Sequence, residues 1–156
     1  MNTPRSAGPA VAVARLHRRA PSLAPHARPK ILLYSHDTFG LGNVRRSLLL
    51  GELFGSEYPQ GAVLLMTGSP MIHAFRIPDR MDYVKLPCVN RVNADQYEPQ
   101  FLLDCTREVR QTRSHILERT AMAFGPDLLI VDKRAAGVDG ELMSTLRAIR
   151  RCALPT

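Results

Sequence analysis

With 156 residues, 45% hydrophobic and 22% charged, the chain can bury the core of one globular domain, and no apolar run approaches the roughly 20 residues of a membrane-spanning helix. Its net charge of +7 is lopsided: Arg5, Arg15, Arg18, Arg19 and Arg28 stand in the first 29 residues with no acid among them. That leaves 16 of the 21 Lys and Arg against all 14 Asp and Glu, a near balance that argues against a nucleic-acid-binding domain.

Met1–Pro29, rich in Ala, Pro and Arg, has no sustained period and is expected to be an unstructured leader. Its Arg-rich, acid-free composition also matches a transit peptide. Lys30–Ser35 is a short apolar run that predicts a buried strand, followed by a loop over His36–Gly42. Asn43–Phe54 predicts a helix with Val44, Leu48 and Gly51 on one face. After the turn residues Gly55–Gln60 the order repeats. Ala62–Met66 predicts a second strand, Thr67–Pro70 a loop, Pro70–Phe75 a short helix, and Asp82–Leu86 a third strand stopped by Pro87. Cys88–Glu98 is polar and reads as irregular. Pro99–Phe124 predicts the longest helix, with Leu102, Cys105, Val109, Thr112, Ile116, Thr120 and Ala123 inward, ended by Gly125-Pro126. Leu128–Val131 predicts a fourth strand covered on both faces, and Gly140–Arg151 a last helix with Leu142, Leu146 and Ile149 inward. Cys88, Cys105 and Cys152 are odd in number and far apart. They suggest neither a zinc site nor a disulfide framework, but reduced buried thiols of a cytosolic protein.

Strands that alternate with helices, each apolar throughout, predict an α/β fold: a Rossmann-like parallel sheet with helices on both faces. Ligands of such sheets sit beyond the carboxyl ends of the strands. The first loop, Ser35-His36-Asp37-Thr38-Phe39-Gly40-Leu41-Gly42, opens a helix directly after a strand. Gly40 and Gly42 let backbone N–H groups approach an anion, and the helix N-terminus adds partial positive charge. A diphosphate or sugar phosphate suits it, with Arg45 and Arg46 one turn behind. The dinucleotide fingerprint would need glycine where Arg45 stands and an acid after the second strand, so NAD is disfavoured.

At this loop the sequence YSHDTFGLGNVRR resembles the opening of predicted glycosyltransferases related to the GlcNAc transferase of peptidoglycan synthesis. The resemblance continues through Thr67-Gly68-Ser69-Pro70, Asp82-Tyr83-Val84-Lys85-Leu86-Pro87, Pro126-Asp127, Val131-Asp132-Lys133, Gly137 and Gly140-Glu141-Leu142. It implies the incomplete N-terminal, acceptor-side half of a GT-B fold, from about residue 30 to the end. The partners it implies are a nucleotide-sugar donor, a sugar or lipid-linked acceptor, and a C-terminal domain beyond Thr156 without which the chain is inactive. It implies no cofactor and no metal, and a place in the cytoplasm at the inner membrane surface, with peripheral membrane association.

In an inverting transfer the protein holds donor and acceptor in line, takes a proton from the attacking hydroxyl, and stabilises the leaving phosphate. His36 and Asp37 are the candidate bases. Gly40, Gly42, Asn43, Arg45, Arg46, Ser69, Asp132 and Lys133 are the candidate substrate- and phosphate-binding residues. Ser69 serves equally as a cap of the short helix. The family's loop carries histidine where this chain has Asn43, and Asn exchanges no proton near neutral pH. That departure keeps an alternative open: a non-catalytic sugar-phosphate or lipid-phosphate binding module, or a degenerate remnant. A flavodoxin-like domain is a further alternative, which a yellow flavin colour would reveal. The strand Leu128–Val131 is expected to have one unpaired edge, and the chain accordingly to self-associate.

Overall fold

The computed structural model describes residues 11–15, 28–36, 41–93 and 96–153. In chain order the elements are β1 (Val11–Arg15), β2 (Lys30–Ser35), α1 (Gly42–Glu57), β3 (Ala62–Thr67), β4 (Met81–Lys85), β5 (Val89–Arg91), β6 (Tyr97–Pro99), α2 (Thr106–Phe124), β7 (Leu128–Asp132) and α3 (Met143–Ala153), with single 3₁₀ turns at Ile72–Ala74 and Val138–Gly140. Four strands form a parallel sheet in the order β7-β2-β3-β4. Helices cover both faces, giving the Rossmann-like α/β half-fold expected from the strand–helix alternation.

The period-2 alternation of the strands divides the core in two. Ile31, Leu33, Val63, Leu65 and Ile130 face α1, where Val44 and Leu48 meet them. Leu32, Tyr34, Leu129 and Val131 face the other way, toward Leu117 and Ala121 of α2 and Leu142 and Ile149 near and on α3. Each fully buried leucine contributes about 1.5–3 kcal/mol of transfer free energy. The chain runs β2, β3, β4 in one direction across the sheet and returns to place β7 on the opposite side of β2. The carboxyl ends of β2 and β7 therefore flank the topological switch point, where such sheets leave a crevice.

Five expectations need correction. Val11–Arg15, within the stretch read as an unstructured leader, is a strand; residues 1–10 and 16–27 lie outside the described residues. It pairs antiparallel with β7 from Val11↔Asp132 to Arg15↔Leu128. A bare strand edge is a row of unpaired N–H and C=O groups, and the alternating Val-Ala-Val-Ala run supplies partners. The edge of β7 expected to be open is thus covered, which removes the premise of the self-association reading. Cys88–Glu98 is not irregular throughout, because β5 and β6 form a two-stranded antiparallel ladder. The long helix begins at Thr106, not Pro99: Pro99 ends β6 and Asp104 takes a left-handed φ of 62°. Phe101, Leu102 and Leu103 are consequently exposed. The buried face of α2 is Val109, Arg113, Leu117 and Ala121, so an arginine stands where an apolar stripe was sought. Finally, α3 starts at Met143, since Asp139 and Gly140 have φ of 47° and 77° and break the predicted helix before it.

Candidate functional site

The carboxyl ends of β2 and β7 bring Ser35, His36 and Asp132 together. Tyr34 pairs with Val131, so the register continues with Ser35 beside Asp132. Alternation turns both toward α1, on the same face as Leu33 and Ile130. Arg46, one turn into α1, closes the gap: its guanidinium donates to Asp132 Oδ1 at 2.6 Å. Asp132 Oδ2 and Ser35 Oγ are buried and, among the described residues, have no hydrogen-bond partner. Buried polar atoms are normally paired, so two unpaired ones at neighbouring strand ends mark this spot.

The N-terminus of α1 lies over these strand ends. Its N-cap, Leu41, offers no side-chain cap, and its first turn contains no acid. Among the described residues, neither the N-cap nor the first turn of this 16-residue helix supplies a side-chain counter-charge to its positive end. Asn43 is buried and donates from Nδ2 to the carbonyl oxygen of His36 at 2.7 Å. Its amide N–H is spent on strapping α1 to the end of β2. Gly42 is exposed, and a Cβ built on it meets nothing within 4 Å.

His36 occupies the other side of the strand end. Its Nε2 and the Tyr97 hydroxyl share a hydrogen bond at 3.0 Å, and the two rings meet edge to face at 5.5 Å. Burial, seconded by the positive charges of Lys133, Arg134, Arg113 and Arg91, lowers the His36 pKa from 6.5 to about 4. The imidazole is neutral at pH 7. Its Nδ1 is buried and has no partner among the described residues. Arg134 stacks its guanidinium over the Tyr97 ring at 6.0 Å. Lys133, exposed, takes a left-handed φ of 67° at the sharp turn that ends β7. Cations thus surround the edge, and the carboxylate at its centre, Asp132, is already ion-paired.

Beneath this edge lies a polar lock with no counterpart among the residues picked from sequence. Glu141 accepts from Arg113 Nε at 2.6 Å and Nη2 at 2.7 Å, and from the Tyr34 hydroxyl at 2.6 Å. Arg113 also donates to the Pro87 carbonyl, and the Val138 N–H donates to the Tyr34 oxygen at 3.1 Å. Burial works against the charge on Arg113, but the bidentate bond to Glu141 outweighs it and raises its pKa. Burial, with the Glu141 charge second, pushes the Tyr34 phenol well above its usual value. Gly137, at φ 74°, is needed here, since a Cβ would stand 3.2 Å from the Tyr34 oxygen. The lock ties β2, α2 and the loop after β7 into one frame, fixing where Lys133 and Arg134 emerge.

Of the residues picked from sequence, His36, Asn43, Arg46 and Asp132 gather at the switch point, with Gly42 at the helix start. Arg45 is exposed on α1. Ser69 is buried and engaged locally: its N–H donates to Thr67 Oγ1 at 3.1 Å, and its Oγ accepts from the Met71 N–H at 3.3 Å, a turn-capping geometry. Asp37 and Gly40 lie outside the described residues. Sequence reasoning missed Tyr97, Arg134, Arg113 and the pairing role of Glu141. Arg113 had one signal, its apolar neighbours four residues away on either side, Val109 and Leu117. No helix among the described residues is long and apolar enough to cross a membrane. Neither a family model, nor a curated protein, nor a solved structure matches the chain.

Proposed function

We propose that this domain is the acceptor-binding half of a GT-B glycosyltransferase that moves a hexosyl or N-acetylhexosaminyl group from a nucleotide-sugar to an acceptor hydroxyl. The observation that supports the reading is the pairing, at one switch point, of a helix N-terminus flanked by cations with a neutral imidazole, the first without a side-chain cap and the second with a ring nitrogen unpaired among the described residues. The helix end and Arg46 suit the phosphate of a phosphorylated or lipid-linked acceptor. In the tautomer whose Nε2–H donates to Tyr97, His36 Nδ1 carries the lone pair that would accept the proton of the attacking hydroxyl once the buried strand end opens to admit it. Asp132 and Ser35 would then hold neighbouring sugar hydroxyls. The nucleotide-sugar is supplied by a second domain, so catalysis belongs to the two together.

The test is a titration of the isotope-labelled chain with a sugar phosphate, and separately with a nucleoside diphosphate sugar. The acceptor-half reading expects the sugar phosphate to shift the amides of residues 42–46, and the nucleotide-sugar to bind more weakly. Preferential binding of the nucleotide-sugar, or no response to either, would overturn it.

A second reading, a non-catalytic sugar-phosphate module, draws on Asn43. It stands where the resembling family has histidine, and its amide is committed to a backbone carbonyl. The two readings part at His36→Gln. A binding module keeps all its function in this variant, whereas an enzyme completed by its donor domain loses transfer while keeping acceptor affinity.

A further inference from the structure

On the far side of the sheet edge from the switch point, where β4 gives way to the β5–β6 ladder, an amine and a thiol stand in contact. Lys85, the last residue of β4, donates from Nζ to Cys88 Sγ at 3.1 Å and to the Leu86 carbonyl. The backbone that carries the thiol is held at three points. The Cys88 carbonyl accepts from the Gln100 N–H at 3.0 Å, the Leu86 N–H donates to Thr67 O at 2.8 Å, and the Pro87 carbonyl accepts from the buried Arg113. Only the four-carbon stem of Lys85 is left to move, and its nitrogen has two acceptors that return it to the sulfur. Both residues line an apolar groove of about 630 Å³, whose other walls include Pro70, Phe101, Val109 and Ile116. Cys88 itself is buried, with 9% of its surface exposed, and the groove is the route by which a small oxidant would reach the sulfur.

We propose that Lys85 and Cys88 form a reversible covalent Nζ–Sγ bridge when the protein meets a peroxide. In the first step Sγ attacks one peroxide oxygen and the O–O bond breaks. The thiol becomes a sulfenic acid, losing two electrons to the peroxide, whose other oxygen leaves as water. In the second step the Nζ lone pair attacks sulfur, the S–O bond breaks, and the hydroxyl leaves with a nitrogen proton as a second water. One thiol, one amine and one hydrogen peroxide thus give one sulfenamide and two waters. Sulfenic acids already condense with backbone nitrogen in this way; a side-chain amine held at contact distance has the same proximity advantage. A thiol reductant reverses the bridge by attacking sulfur and releasing the amine. Closure removes the Lys85 charge from the groove and pins the end of β4 to the segment that Arg113 anchors. The inference is independent of the glycosyltransferase reading.

The experiment uses the full chain carrying Cys105→Ser and Cys152→Ser, so that no disulfide can form within it. After brief exposure to hydrogen peroxide and digestion with trypsin, the peptide Met81–Arg91 is followed by mass spectrometry, with fragmentation to assign any oxygen on Met81. The expected product is this peptide uncut after Lys85 and lighter by two hydrogens, which dithiothreitol followed by renewed trypsin converts to the two ordinary tryptic fragments. Lys85→Arg keeps the charge and donors but presents a non-nucleophilic guanidinium, so it should stop at sulfenic or sulfinic acid with the same circular dichroism spectrum. Cleavage after residue 85 with Cys88 oxidised to an acid or untouched would overturn the proposal, as would an identical product from the Lys85→Arg chain.

Discussion

Gly42→Asp separates folding from binding at the proposed anion site, because the same carboxylate should help one and harm the other. Gly42 is the first residue of α1, exposed, with nothing within 4 Å of an added Cβ. Replacing it therefore costs no steric strain. Asp at the start of a helix that has neither a side-chain cap nor an acid in its first turn gains about 0.3–1 kcal/mol from the helix dipole. It also removes part of the roughly 1 kcal/mol glycine penalty. The net gain of about 1 kcal/mol raises the midpoint of thermal unfolding by about 2–4 °C in a chain of this size. A phosphate held at the same helix end would face that carboxylate at a few ångströms. Two like charges at 4 Å repel by about 4 kcal/mol at an effective dielectric of 20, and less where water reaches them, so binding should weaken by about ten- to a hundredfold. Thermal unfolding followed by circular dichroism gives the first quantity, and titration of backbone amides with inorganic pyrophosphate gives the second. Gly42→Ala is the control that stabilises without adding charge. Unchanged affinity in the Asp variant would refute the helix end as the anion site. A lowered melting temperature in both variants would show instead that the loop needs the conformational freedom of glycine.

Three further perturbations probe the frame around that site. Arg113→Met leaves the buried Glu141 carboxylate without its bidentate partner and should cost about 3–5 kcal/mol in urea unfolding; adding Glu141→Gln should recover much of it, and equal instability of single and double variants would refute the charge argument. His36, held neutral with a pKa near 4 against 6.5 in the unfolded chain, takes up its proton only on unfolding between those values. Stability should therefore be full above pH 6.5 and fall toward pH 4, by at most about 3 kcal/mol; His36→Gln should flatten that part of the profile, and an unaltered profile would show that other groups set it. Removing residues 1–16 takes away the strand on the outer edge of β7, so β7 amides should exchange faster and sedimentation should show concentration-dependent association. A monomer with unchanged exchange would mean that β1 does not protect that edge.

The parallel sheet was legible because three of its four strands, β2, β3 and β7, are apolar runs bounded by turn residues, and β4, with Asp82 and Lys85, ends before Pro87. Lys30–Ser35 was placed to the residue, and Ala62–Thr67 and Leu128–Asp132 to within one. Three other features were hidden for definable reasons. Val11–Arg15 sits in a segment whose composition signals disorder, and its pairing is decided by a vacant edge more than 110 residues later in the chain. The β5–β6 ladder is three residues long per strand, too short for a period to show. Arg113 is buried only because Glu141, 28 positions away, neutralises it, and no local pattern announces such a partner. The site divides the same way. Gly42, Arg46 and Asp132 could be found because chemistry-bearing residues at strand ends and helix starts stand out. Tyr97, which receives His36 across the edge, lies in a stretch that reads as loop.

Buried polar atoms unpaired among the described residues lie on both sides of this edge, His36 Nδ1 and Thr145 Oγ1 on one and Ser35 Oγ and Asp132 Oδ2 on the other, but the bonds a ligand would have to break differ between the two sides. On the α2–α3 face the buried groups Tyr34, Arg113 and Glu141 satisfy one another at 2.6–2.7 Å, so a ligand entering there would have to break charge-assisted bonds, each worth about 1.5–3 kcal/mol. On the α1 face Ser35 Oγ and Asp132 Oδ2 have no partner among the described residues. A hydroxyl that reaches them displaces nothing from the protein and relieves about 1–3 kcal/mol of unmet hydrogen bonding per group. The barrier to such entry is the Asn43–His36 strap and the Arg46–Asp132 pair, both of which join the first turn of α1 to the strand ends. The Arg46 side chain is 39% exposed but that of Asp132 only 8%, so moving the guanidinium away leaves a nearly buried carboxylate without its partner. Arg46 is thus the member that can turn from Asp132 to an incoming phosphate only if a donor from the ligand takes its place on the carboxylate. One bond would then be exchanged for another of the same kind, while Asp132 gains a hydroxyl donor in place of the guanidinium.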